Sequence, residues 1–332
     1  MITLIAVSRL TAMETKQPKR KGKTMKPLTH FKTTKILRNI LLSLGVFFAL
    51  AISAHAQNLY VSVNGAICGF NCSEFSGSIS EYTPDGMQST FASGLARPRG
   101  LAFDSSGNLL AAVNRHGPPT PQFQGRILKF PPLGHQSVLG NVALSFLEGV
   151  VTDSGGNTFA MAQSASSTTT NTIYKFAPDG TRTVFGTTPG AGFGLAFDSA
   201  GNLYAAADDQ TIYKFAPDGT RSVFAGPSAF DDDTVPFGLA FDSNGNLFVS
   251  TQGDPGNDTI LEFTPGGMES TFATGLTYPH GLAFDGSGNL FVAEDNPAPD
   301  GDILKFAPGG GAPTVFASGI DLPEFLTFGP PR

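Results

Sequence analysis

After residue 56 the chain reads as an all-β, six-bladed propeller of four-stranded blades, on three observations. The string Gly-Leu-Ala-Phe-Asp begins at Gly100, Gly194, Gly238 and Gly281, with a degenerate copy, Gly-Val-Val-Thr-Asp, at Gly149. The spacings of 49, 45, 44 and 43 residues are those of a propeller blade. Each interval contains four short apolar stretches separated by turn signals, and the two chain ends carry complementary pieces of one further interval.

Each unit is built the same way. The first apolar stretch leads into Asp-x-x-Gly-Asn, with the Gly-Asn pair at 107–108, 156–157, 201–202, 245–246 and 288–289. Asp accepts bonds from nearby backbone N–H groups and Gly supplies positive φ, so the link suits a tight hairpin. A second stretch follows, such as Leu247-Phe248-Val249, and then a third of the form Ile-x-x-Phe at 127–130, 173–176, 212–215, 260–263 and 303–306. Pro-Asp-Gly or Pro-Gly-Gly turns the chain into a fourth, such as Ser222-Val223-Phe224. The abundance of Gly (40), Pro (24) and Phe (29) agrees with many short strands and tight turns. The repeated Phe130, Phe176, Phe215, Phe263 and Phe306 are expected between blades, in the core.

The ends predict how the ring closes. Asn58–Val61, Ile79–Tyr82 and Ser89–Phe91 match the second, third and fourth strands of a unit whose first strand is missing. Phe325–Phe328 matches a first strand with nothing after it. A C-terminal strand joining three N-terminal strands completes the closing blade, blade one, and leaves no open sheet edge. Residues 57–332 are therefore expected to form a single domain, and a monomer.

Residues 1–56 have a different character. From Met25, the expected true start, a basic stretch precedes an apolar run from Ile40 to Ile52 and then Ala54-His55-Ala56. This order predicts a signal peptide cleaved before Gln57 and a secreted or periplasmic protein. The run would extend roughly 20 Å as a helix against a hydrocarbon core of about 30 Å, so no membrane span is expected in the mature protein. The leader holds ten of the 21 Lys and Arg but one of the 27 acids, leaving 11 bases against 26 acids. Such an acidic remainder is poorly suited to phosphate backbones, so no nucleic acid is expected as a partner. Cys68 and Cys72 are expected to form a small-loop disulfide in an oxidising compartment.

The string Pro-His-Gly-Leu-Ala-Phe-Asp-Gly-Ser-Gly-Asn-Leu-Phe-Val-Ala at 279–293 resembles the NHL repeat. Residues 57–332 as a whole resemble the senescence-marker-protein/gluconolactonase group of six-bladed propellers. The resemblance implies the fold and leaves several activities open, because these propellers host lactonases, lyases and binding modules.

Two sets of connections are expected to face opposite ways. The first-to-second and third-to-fourth turns are nearly uniform. The connections on the other face vary: Asn64–Gly77 with both cysteines, Asn114–Gly125 with Arg115 and His116, Asp208-Asp209-Gln210, and an exit loop with Asp231, Asp232 and Asp233. Irregular loops on a rigid scaffold point to that face for binding. The residue before each first strand is expected at the channel mouth, on its rim. In ring order these are His280, Glu324, Arg99, Glu148, Phe193 and Phe237. A mouth half polar and half aromatic could hold a small molecule, a glycan or a protein segment.

The resemblance also implies an alternative, a metal-dependent hydrolase or lyase of lactonase type. Lactonases of the group place acidic and amide ligands before the corresponding glycines. Glu324 matches the acidic member, whereas Phe193 and Phe237 stand where the others are needed. Amidating lyases of NHL type use histidines in several blades, and only His280 matches. A site of Glu148, His280 and Glu324 could hold a divalent cation. Arg99, between the two glutamates in ring order, is expected to pair with them. Asp285–Asn289 is read as the ordinary hairpin and Asp231–Asp233 as a solvated acidic loop. No nucleophile elbow accompanies the Ser-rich stretch 164–170.

Overall fold

A computed structural model of the chain describes residues 57–64, 76–117, 120–164, 171–231, 233–253, 256–295 and 301–331. The leader, Cys68, Cys72, residues 165–170, Asp232 and the side chain of His116 lie outside the described residues.

Six four-stranded antiparallel sheets form the ring, and strands follow one another in sequence order within every sheet except that of blade one. There the inner strand is Pro323–Phe328, followed by Leu59–Val63, Gly77–Tyr82 and Gln88–Leu95. Leu59 pairs with Phe328, Tyr60 with Thr327 and Val61 with Leu326, so the chain ends close the ring as the sequence predicts. The inner strands of blades two to six are Pro98–Phe103, Ser145–Thr152, Gly192–Phe197, Val235–Phe241 and Pro279–Phe284.

The hairpin chemistry is repeated around the ring. Asp285 Oδ1 accepts from the backbone N–H of Ser287 at 2.9 Å and of Asn289 at 2.8 Å, and Asp104 and Asp242 do the same in their blades. The hairpin glycines take positive φ, 81° at Gly288, where a side chain is strained. A Cβ on Gly107 would lie 3.5 Å from Pro132, and one on Gly288 would lie 3.6 Å from Pro308. The two uniform turn sets therefore adjoin on one face.

Apolar burial holds neighbouring blades together. Phe176, Phe215, Phe263 and Phe306 are almost fully buried. Two glycines make room for these rings: a Cβ on Gly140 would fall 2.3 Å from Phe176, and one on Gly186 would fall 2.5 Å from Phe215. Phe130 departs from the pattern. It is half-buried, in edge-to-face contact with Phe91 at 5.6 Å, at the junction with blade one. Outer strands such as Glu269–Leu276 show mostly exposed and half-buried residues, so the core lies between the inner three strands of each blade.

Candidate functional site: the channel mouth

Every inner strand carries one β-bulge, and the bulge holds the residue that ring order singles out. In blade two Pro98 pairs with Val113 and Leu101 with Ala111, so Arg99 and Gly100 together oppose Ala112. The same two-against-one count sets Glu148–Gly149 against Met161 and Phe193–Gly194 against Ala206. It also sets Phe237–Gly238 against Ser250, His280–Gly281 against Ala293, and Glu324–Phe325 against Ser62. A bulge bends its strand and re-aims a side chain that regular alternation would send elsewhere.

Glycine follows the mouth residue in five blades because the inner strands nearly touch. A Cβ on Gly100 would lie 2.4 Å from the carbonyl oxygen of Glu148, one on Gly149 2.5 Å from that of Phe193, and one on Gly238 2.1 Å from that of His280. Two serines pin bulges that the ladder leaves unpaired. Ser250 Oγ accepts from Gly238 N–H at 2.7 Å and donates to His280 O at 2.7 Å, tying blade five to blade six. Ser62 Oγ accepts from Phe325 N–H at 3.0 Å and donates to Phe325 O at 3.1 Å.

The six side chains converge as two groups. On the polar side Arg99 Nη1 donates to Glu324 Oε2, and Arg99 Nε lies 3.8 Å from Glu148 Oε2. Asn64 Nδ2 donates to Glu324 Oε1 at 3.2 Å. His280 Nδ1 comes within 3.0 Å of Glu324 Oε2, but off the line of a directed hydrogen bond, so the contact is one of proximity. On the aromatic side Phe193 stacks on Phe237 at 4.5 Å and His280 meets Phe237 edge-on at 4.8 Å.

The mouth is more enclosed than the rim expected from sequence. Glu148 and Glu324 are only 6% and 5% exposed, and Phe237 is buried. The two glutamates respond differently. Burial would raise the Glu324 carboxyl, but Arg99 and His280 outweigh it and hold it down at about 2. Burial raises the Glu148 carboxyl, and the more distant Arg99 does not reverse it. Arg99 is thus the partner of Glu324 more than of Glu148. Glu148 Oε2 is buried with no hydrogen-bond partner.

Sequence reading missed three contributors. Phe325 occupies the sixth glycine position, and its half-buried ring stacks on Phe237 at 6.0 Å. It also lines a cavity of about 310 Å³ between the inner strands, with Leu101, Leu195, Leu239, Leu282 and Leu326. The missing sixth glycine was its signal. Asp295, on the connection after Leu290–Glu294, lies in the electrostatic reach of His280, Glu324 and Arg99, and its buried Oδ1 has no hydrogen-bond partner. Asn64 completes the set, and no motif marks either of these two.

A divalent ion does not fit these residues. The guanidinium of Arg99 already fills the space between Glu324 and Glu148, and Phe193 and Phe237 offer no donor. Among the described residues no three His, Cys, Asp or Glu side chains gather as a metal-holding group. Asp285 is engaged in its hairpin.

No family model matches the chain, and no curated protein sequence does. Solved structures do match. A gluconolactonase from Xanthomonas campestris is 17% identical with a TM-score of 0.50, over 70% of this chain and 83% of that one. The calcium-binding protein regucalcin from Agrobacterium tumefaciens is 13% identical with a TM-score of 0.54, over 75% of this chain and 85% of that one. A luciferin-regenerating enzyme is 14% identical with a TM-score of 0.53, over 81% and 95%. At such identities the likeness is one of fold, the six-bladed β-propeller.

Proposed function

We propose that this propeller is an exported binding module that takes a small organic ligand in the channel mouth. One observation carries the reading: six bulges turn six side chains toward one enclosed mouth, polar on one side and aromatic on the other. Ligand sites combine apolar walls with a few fixed polar groups in this way. The polar groups are held before any ligand arrives, by Arg99, Asn64 and the two serine clamps, which lowers the ordering cost of binding.

A thermal-shift screen of small molecules against the wild type and Phe193→Ala tests the reading. A ligand present at about 100 times its Kd stabilises the folded state by about 2.7 kcal/mol. Compounds that stabilise the wild type are expected to lose most of that effect with Phe193→Ala, whose half-buried ring is replaced without emptying the blade core. Hits indifferent to Phe193, Arg99 and Glu148 would move the site to the irregular loops. A hit consumed with release of acid would favour hydrolysis, the activity type of lactonase propellers.

A further inference from the structure

The polar half of the mouth is unevenly satisfied. Glu324 is matched by Arg99, Asn64 and His280. Glu148 Oε2 and Asp295 Oδ1 are buried without a hydrogen-bond partner. A buried carboxylate oxygen with no donor is costly, and native proteins satisfy nearly all such atoms. Arg99 Nε stands 3.8 Å from Glu148 Oε2, beyond hydrogen-bond distance, so among the described residues no donor closes on that oxygen and a ligand could.

The charges narrow its chemistry. Glu148 lies in the electrostatic reach of Arg99, Glu324 and His280, and Asp295 in that of His280, Glu324, Asp321 and Arg99. With Arg99 committed to Glu324, the surplus is negative. An anion would meet like charge. A neutral hydroxyl could donate but would leave the charge uncompensated. A bare metal ion would find aromatic rings where it needs oxygen ligands. The half-buried rings of Phe193 and Phe325 reward an organic cation through both apolar contact and the ring quadrupole.

We propose that the mouth is a receptor for a small organic ammonium ion. Its N–H groups bond Glu148 Oε2, and its hydrocarbon body rests on Phe193, the next mouth residue in ring order, and on Phe325. The inference rests on the reading of the mouth as a binding site and names the ligand class that site selects. A primary arylalkyl ammonium is the simplest probe, with one charged donor group and one flat apolar body.

Calorimetric titration of the full chain with phenethylammonium, phenethyl alcohol and phenylpropionate, matched in shape and different in charge, tests the proposal. The ammonium is expected to bind at least about tenfold more tightly than the alcohol, the scale of a charge-assisted hydrogen bond in a buried site, with the carboxylate weakest. Glu148→Gln, which keeps the volume and removes the charge, is expected to lose at least that factor for the ammonium and little for the alcohol. Affinity for the ammonium is expected to fall as pH drops and Glu148 is protonated. Equal binding of alcohol and ammonium, or an ammonium affinity within twofold in Glu148→Gln, overturns the ammonium assignment and leaves the binding site standing. Binding of none of the three probes to the wild type overturns both. The wild-type comparison alone decides the charge question even if Glu148→Gln fails to fold.

Discussion

Replacing Arg99 by Met keeps the side-chain stem and removes the charge that Glu324 depends on. The Glu324 carboxyl lies at about 2 against an ordinary 4.5, which at about 1.4 kcal/mol per pH unit amounts to about 3 kcal/mol of preference for the charged form. A depressed pKa contributes stability that is present above the unfolded value, near 4.5, and is lost as pH falls toward 2. Glu148 runs the other way. Its raised pKa contributes stability below 4.5 that is lost as pH rises through its folded value. At pH 7, Arg99→Met leaves Glu324 buried with only Asn64 and His280 beside it. Stranding one member of a buried pair costs roughly 3–5 kcal/mol, and the surviving contacts argue for the lower end. For a domain of this size about 2 °C of Tm corresponds to 1 kcal/mol, so the variant is expected to melt about 6 °C below wild type. At pH 3 its Glu324 is protonated, while the wild-type pair still works at part strength, and the gap is expected to narrow to roughly half. Adding Glu324→Gln to Arg99→Met is expected to restore most of the loss at pH 7, because a neutral pair leaves no charge stranded. Melting curves by circular dichroism between pH 3 and 8 read all of this. Parallel Tm–pH curves for wild type and Arg99→Met would show that Arg99 does not govern Glu324.

Two further outcomes follow from the geometry and the sequence. Gly238→Ala places a methyl 2.1 Å from a backbone carbonyl oxygen that cannot swing aside, so it is expected to cost about 1–3 kcal/mol or more. Gly226→Ala, 3.9 Å from its nearest neighbour and at φ −103°, is the control and is expected to stay within about 0.5 kcal/mol of wild type; equal melting of the two variants would refute the inner-ring contact. Export of the chain with removal of the leader is expected to leave Gln57 at or within a few residues of the mature N-terminus. Edman sequencing of protein recovered outside the cytoplasm reads it, and an intact N-terminus would rule out cleavage.

The architecture was legible because its local chemistry repeats. Asp-x-x-Gly-Asn states a hairpin by itself: the Asp carboxylate satisfies two N–H groups and the Gly takes a φ that other residues resist. Five copies fix the period, and the halves at Asn58–Val61 and Phe325–Phe328 then fix the closure. The ring order of Arg99, Glu148, Phe193, Phe237, His280 and Glu324 follows from the same period. The bulges were not legible. Strand alternation in a sequence does not show where a ladder admits an extra residue, and the only trace was a glycine after five of the six mouth residues. Burial was not legible either. Glu148 and Glu324 look like rim residues until the bulges turn them inward, and Asn64 and Asp295, which join Glu324 there, lie on connections without a motif.

Phe325 shows how one departure from a repeat shapes the mouth. Five glycines let the inner strands close to within contact of one another's backbone, and a sixth would have left the axis open. The ring at Phe325 is tolerated because Ser62 ties both its N–H and its carbonyl, so the bulge holds without the tight approach seen at Gly238. Its ring is then shared, stacked on Phe237 and lining the cavity of about 310 Å³ between the inner strands. The mouth thus keeps an aromatic side and a polar side, and water has little access to Glu148. Six bulges and two serine clamps thus surround a buried carboxylate oxygen, Glu148 Oε2, that has Arg99 at 3.8 Å but no hydrogen bond, a cost that a better-matched residue would remove.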